Sequence, residues 1–329
     1  MNNRLTESNF FYALRGLAII SVAYAHSLSL STDVLQRIGE AIGIIGVPLF
    51  MVSSGYYFKY ESWNTLATKL TEGIISPWLI WGTIAFAISS LLGAVSNNLS
   101  SFIAFIIGHG TWLYYIPVYI IIRCIFNCHA TNSFLYGTIL LSIVSNIVSF
   151  YLPGKLAPIS SWCTPWQNPF NWCGFFAVGI LIRRLELFTL LCNNHRIAKT
   201  LLSALSLIIF VLLIAIPWKI NYWNPIAVIF EYLIVFALLG LTGLSQNRFL
   251  RVLGKNSLLI YLLHIQLGIA SANIIFRFLH FPEIIVLMVK PLTVLAITML
   301  LIIIIREIVC LMRLNRYCKY LGLFDNYSK

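Results

Sequence analysis

Arg15 and His26 stand eleven residues apart in the apolar stretch FYALRGLAIISVAYAHSLSL (11–30). On an α-helix, eleven steps of about 100° bring the second residue to within about 20° of the first and about 16 Å along the axis. That distance is half the hydrocarbon thickness of a bilayer. One helix face then carries a permanent cation at the membrane surface and a titratable imidazole near the midplane. A guanidinium is a planar fork suited to phosphate, and an imidazole takes a proton from a hydroxyl near neutral pH. Ionisable groups inside a membrane are costly and mark function by default. The plainer alternative has Arg15 snorkelling to lipid phosphates and His26 bonding to a neighbouring helix.

Other residues add to this pattern. His264 follows Lys255 by nine residues in LGKNSLLIYLLHIQ (253–266), about 13 Å deeper on a helix. It therefore reaches a depth similar to that of His26, and two such imidazoles above Arg15 imply a shared polar cavity. Glu231 falls within the apolar run NPIAVIFEYLIVF (224–236), where a carboxylate orients an imidazole, takes its proton, or makes a structural salt bridge. Ser54-Gly55-Tyr56 closes GVPLFMVSSGYYF (46–58), and small residues there admit a second backbone or a ligand. In GHGTWLYYIPVYI (108–120), Trp112 and Tyr114 read as an interfacial aromatic anchor. Cys124, Cys128 and His129 lack a second ligand pair, so no metal site is expected.

Long helices must position these groups. Apolar residues make up 60% of the chain and charged residues 10%, against about 25% charged in soluble domains. Ten apolar runs lie near 12–31, 38–58, 74–95, 108–126, 133–151, 170–184, 200–217, 225–244, 257–279 and 284–305. Spanning takes about 20 residues. With both termini in the cytoplasm, most of the 22 Lys and Arg fall inside; only Arg37, Lys155, Lys219, Arg277 and Lys290 fall outside. The expected fold is all-α: a polytopic integral membrane protein of about ten transmembrane helices, N-in and C-in. One membrane domain fills 1–329, with a core over about 8–305 and a basic cytoplasmic tail over 306–329. The first run lacks a cleavage pattern and is expected to stay as a helix. The net charge of +12 reflects orientation and attraction to anionic membrane lipid, with no nucleic acid needed. Cys163 and Cys173 flank the longest outer loop, where pairing is permitted but not required.

The Arg15–His26 pair resembles the signature of the acyltransferase-3 family of membrane O-acyltransferases. Four further motifs follow in the family's order: GVPLFMVSSGYYF, ATKLTEGIISPWLIW (67–81), TWLYYIP (111–117) and LGKNSLLIYLLH (253–264). Lys69 stands almost alone before Pro77, where the family is usually richer in Arg. The chain also stops soon after the tenth run, without the fused SGNH-type domain of some relatives, so it is expected to act alone or with a separate partner.

The resemblance implies transfer of an acyl group, usually acetyl, from cytoplasmic acyl-CoA to a saccharide hydroxyl. The acceptors it implies are lipid-linked or exported bacterial glycans such as O-antigen, at the inner (cytoplasmic) membrane. Acetyl-CoA enters as co-substrate. Arg15, Ser54, Tyr56 and Lys69 are the candidate donor-binding residues. His26 is the candidate general base or transient acyl carrier, with Glu231 and His264 as further catalytic candidates. The oligomeric state is not set by the sequence. A transporter or flippase of a lipid-linked saccharide also fits ten helices and a polar midplane, although no inverted repeat or paired Gly/Pro-broken helices stand out.

Overall fold

A computed structural model describes residues 2–128, 130–152, 164–193, 196–216 and 219–323, which form helices with no strand among them. Helix covers most of the described residues in each of the ten apolar runs. The first, α1 (Asn2–Ser27), sits at the centre, with Phe10, Phe11, Leu14, Ala18 and Ile19 wholly buried. The second run is split into α2 (Asp33–Gly43) and α3 (Gly46–Tyr56). Breaking a helix frees carbonyls that need donors. Ser21 Oγ supplies them to Ile42 and Gly43 at 2.6 and 2.9 Å, and the Tyr222 hydroxyl reaches Gly43 at 3.2 Å.

A near-continuous rod follows: α4 (Trp63–Leu70), a π-helical turn (Thr71–Ile75) and α5 (Ser76–Leu91). Pro77 has no N–H to give the Gly73 carbonyl, and the turn widens there. After α6 (Leu99–Ile106), a short 3₁₀ turn (Trp112–Tyr114) leads into α7 (Tyr115–Cys128) and then α8 (Asn132–Tyr151). On α8 a buried polar stripe of Thr138, Ser142 and Asn146 holds the turn before α9 (Cys173–Arg184). Ser142 Oγ and Asn146 Nδ2 both donate to the Asn171 carbonyl, at 3.0 and 2.9 Å.

The chain continues through α10 (Leu187–Asn193), α11 (Arg196–Ala215), α12 (Pro225–Leu239) and α13 (Arg248–Lys255). Next come α14 (Ser257–Leu263), a π-helical turn (His264–Ile269) and α15 (Ala270–Leu279). The last long helix is α16 (Glu283–Leu311).

Two glycine contacts bring helix axes close together. A side chain at Gly254 would strike the Tyr12 carbonyl, and one at Gly16 the backbone of Leu250, so α1 and α13 touch backbone to backbone. Gly55 of α3 and Gly179 of α9 make the matching contact with Phe176 and Val52.

Five stretches are long and apolar enough to cross a membrane: Asp33–Tyr56, Trp63–Leu91, Asn132–Tyr151, Ser257–Leu279 and Glu283–Leu311. Their outward faces expose Leu140, Leu141, Leu300 and Ile303, as lipid contact requires. The protein is an all-α integral membrane protein.

The expected basic tail is folded over its described part, residues 306–323: α16 runs on to Leu311 and a 3₁₀ turn (Asn315–Leu321) folds back. Trp81 Nε1 donates to the Leu321 carbonyl at 2.9 Å, Lys319 pairs with Glu72 at 2.7 Å, and Cys318 and Leu323 are buried. Arg37, expected on the outer side, caps the last carbonyls of α11, donating to Leu213 at 2.8 Å and Ile214 at 2.7 Å. Cys173 is a free, buried thiol. Its suggested partner Cys163 lies outside the described residues, as do His129 and Lys155. Among the described residues no three His, Cys, Asp or Glu side chains cluster to hold a metal.

Candidate functional site

His26, in the last turn of α1, and His264, at the head of the π turn, face one another with ring centroids 5.4 Å apart. His264 is buried, while His26 remains accessible. The His264 Nδ1 lies 2.7 Å from the Tyr261 carbonyl. A carbonyl only accepts, so Nδ1 carries the proton and Nε2 is left as an acceptor. That Nε2 has no hydrogen-bond partner among the described residues. A π turn displaces the residue that opens it from the regular helix face, and such turns are frequent at functional sites. Around the pair, the Trp112 ring lies 6.4 Å and the Tyr261 ring 6.0 Å from His264. The Tyr261 hydroxyl donates to the Trp112 carbonyl.

Nearby opens a cavity of about 430 Å³. Arg15 of α1, Lys255 of α13 and Arg306 of α16 all wall it, together with Ser54, Asn256 and Ser257, and no acidic residue is among the described wall residues. Three cations from three helices give the chamber a positive potential that suits a polyanion. Lys255 lies over the Tyr12 ring at 5.6 Å, and Arg15 stands 5.9 Å from the Tyr57 ring. Both cations thus have an aromatic support that leaves their hydrogen-bonding capacity for a ligand.

Deeper in, Phe50, Tyr115, Ile116 and Tyr261 form the wall. The Tyr115 and Tyr261 rings lie 5.6 Å apart. Arg15 therefore faces this cavity, but His26 is not among its wall residues. Of the two rings, Tyr261 is the one that also neighbours the imidazole pair, 6.0 Å from His264. Tyr261 belongs to both sides: its ring walls the cavity and its carbonyl holds His264.

The other expected residues fall in different places. Ser54 walls the cavity. Tyr56 does not; it is buried against Phe11, ring on ring at 3.8 Å, and its carbonyl accepts from Arg183 at 3.3 Å. Lys69 also stands apart, exposed and paired with Glu61, which Arg123 approaches at 3.6 Å. Lys255 and Arg306 stand with Arg15 in the cavity wall, whereas Lys69 and Tyr56, expected to bind the donor, do not. Lys255 belongs to the LGKNSL motif. Arg306 opens the expected basic tail and is the first charge to follow the long apolar run of α16. Glu231 is wholly buried on α12, and neither carboxyl oxygen has a hydrogen-bond partner among the described residues. It therefore bonds neither imidazole and does not orient them here. Trp112, expected as an interfacial anchor, is buried beside His264 instead.

The family described as an acyltransferase domain matches residues 9–307, nearly the whole chain. The chain belongs to this acyltransferase-3 family and is a membrane-embedded acyltransferase. Comparison with curated proteins gives no match, and comparison with solved structures gives none either.

Proposed function

We propose that this acyltransferase moves an acetyl or other short acyl group from cytoplasmic acyl-CoA to a hydroxyl of a surface or lipid-linked saccharide. It works in a bacterial inner membrane, as a bundle of ten spanning helices with both ends inside. The observation that carries the reading is the cavity walled by Arg15, Lys255 and Arg306, whose inner wall residue Tyr261 also holds His264. Coenzyme A has phosphates at one end and its thioester at the far end of a thin arm. Phosphates suit the cationic mouth, where charge-assisted hydrogen bonds to a guanidinium are strong. The arm then points along α1 toward His26.

His26, the accessible imidazole of the pair, acts as general base on the acceptor hydroxyl, a role that typically contributes about 10²–10⁴-fold. Transient acylation of His26 followed by hand-over to the sugar uses the same geometry. In either route the thioester passes between Tyr115 and Tyr261, so those rings part when the donor binds. The test is acyl transfer from radiolabelled acetyl-CoA in inner-membrane vesicles, with mass analysis of the glycan. His26→Ala, inserted at wild-type level, is expected to abolish label on glycan. Substantial surviving transfer removes His26 from the chemistry.

A further inference from the structure

Most polar groups around the imidazole pair are occupied. The Tyr261 hydroxyl is spent on the Trp112 carbonyl, and His264 Nδ1 on the Tyr261 carbonyl. The Trp112 indole N–H is not. The residue is 7% exposed, and Nε1 has no hydrogen-bond partner among the described residues. An indole nitrogen can only donate, and a buried donor left unpaired carries its full desolvation penalty. A belt tryptophan avoids that cost by turning its N–H to the headgroup region. This one does not.

Its position is also fixed. The ring meets Phe105 edge-on at 5.6 Å and His264 at 6.4 Å, nearly perpendicular to both, and Tyr261 ties down its backbone. The unpaired hydroxyls of Ser27 and Ser53 are free rotors by comparison. Trp112 Nε1 and His264 Nε2 are an open donor and an open acceptor on neighbouring rings, and they do not satisfy each other. A fixed, buried donor beside a base is what an acyl-transfer site needs where negative charge develops.

We propose that Trp112 is a catalytic residue, its indole N–H stabilising the oxyanion of the thioester carbonyl. This rests on the acyl-transfer reading above. The acceptor oxygen forms a bond to the thioester carbon while His26 takes the hydroxyl proton. The carbonyl π pair moves to oxygen, and Trp112 donates to that oxyanion. On collapse the C–S bond breaks, and His26 returns the proton to the departing thiolate, giving ester and free thiol.

The test uses the full-length protein in lipid nanodiscs with labelled acetyl-CoA and acceptor glycan. Two variants are compared with wild type: Trp112→Phe, and position 112 carrying 3-benzothienylalanine, which replaces the N–H by sulfur in a ring of nearly the same shape. Both are expected to lose about 10²–10³-fold in kcat, the usual cost of one oxyanion donor. KM for acetyl-CoA and the shape of the pH profile stay unchanged, because the donor cavity and the base are intact. If Trp112→Phe does not fold, the isosteric variant decides. Full kcat in the benzothienyl protein overturns the proposal, as does a loss confined to KM. Absence of any acyl transfer by the wild type instead overturns the reading on which it rests.

Discussion

Removing the charge of Arg15 tests the donor cavity in a way that a lipid-anchor role cannot mimic. Arg15 shares the wall with Lys255 and Arg306, each on a different helix. Arg15→Gln leaves the two other cations in place, so the loss should be that of one set of charge-assisted hydrogen bonds. Such bonds are worth about 1.5–3 kcal/mol, which corresponds to about 10- to 150-fold in KM for acetyl-CoA at 1.4 kcal/mol per tenfold. Arg15→Lys should fall between, keeping the charge but losing the planar fork. The assay is initial-rate acyl transfer in nanodiscs with two donors, acetyl-CoA and acetyl-pantetheine, the second lacking every phosphate. The KM for acetyl-pantetheine should be indifferent to Arg15→Gln. An equal loss with both donors, or none with either, refutes the assignment of Arg15 to phosphate.

Four other outcomes follow from the geometry. Lys69→Ala should leave KM for acetyl-CoA unchanged in the same assay, because Lys69 points to Glu61 outside the cavity. Gly254→Ala should cost about 1–3 kcal/mol through overpacking against the Tyr12 carbonyl, seen as a lower unfolding temperature in detergent. Tyr261→Phe removes the bond to the Trp112 carbonyl and should destabilise by about 1 kcal/mol; with Tyr261 loosened between the cavity and His264, acceptor-independent release of acetate should rise. Lys319→Ala breaks an exposed pair with Glu72, a class worth about 0–1 kcal/mol, and should leave both activity and thermal stability near wild type.

Much of the helical plan was legible because a membrane leaves the chain few choices. Backbone groups in hydrocarbon must bond within their own segment, so each long apolar run becomes a helix. The depth argument brings His264 to His26, 5.4 Å away by ring centroid. What was not legible depended on contacts between distant segments. Hydropathy cannot show that α2 and α3 separate at Ile44, because the freed carbonyls are taken by Ser21 of α1 and by Tyr222 in the turn before α12. Nor can it show that Arg306 turns into the cavity while Lys69 turns out to Glu61.

The place of Tyr261 was likewise invisible. The eleven-residue ladder implies a cavity shared by guanidinium and imidazole, but the cavity that Arg15 walls does not include His26, and Tyr261 is the wall residue that also holds His264. Trp112 reads from sequence as an aromatic anchor, and only its burial beside His264 and its unpaired N–H mark it otherwise.

The account stands most directly on whether acyl groups cross from the cationic chamber to a sugar at His26. Inverted inner-membrane vesicles carrying the wild-type chain, supplied outside with radiolabelled acetyl-CoA, should place label on glycan in a form released by mild base, as an O-ester is. Vesicles with His26→Ala at equal abundance should place none. Base-labile label at wild-type rates in the His26→Ala vesicles would contradict the account, as would wild-type vesicles that consume no acetyl-CoA in the presence of acceptor.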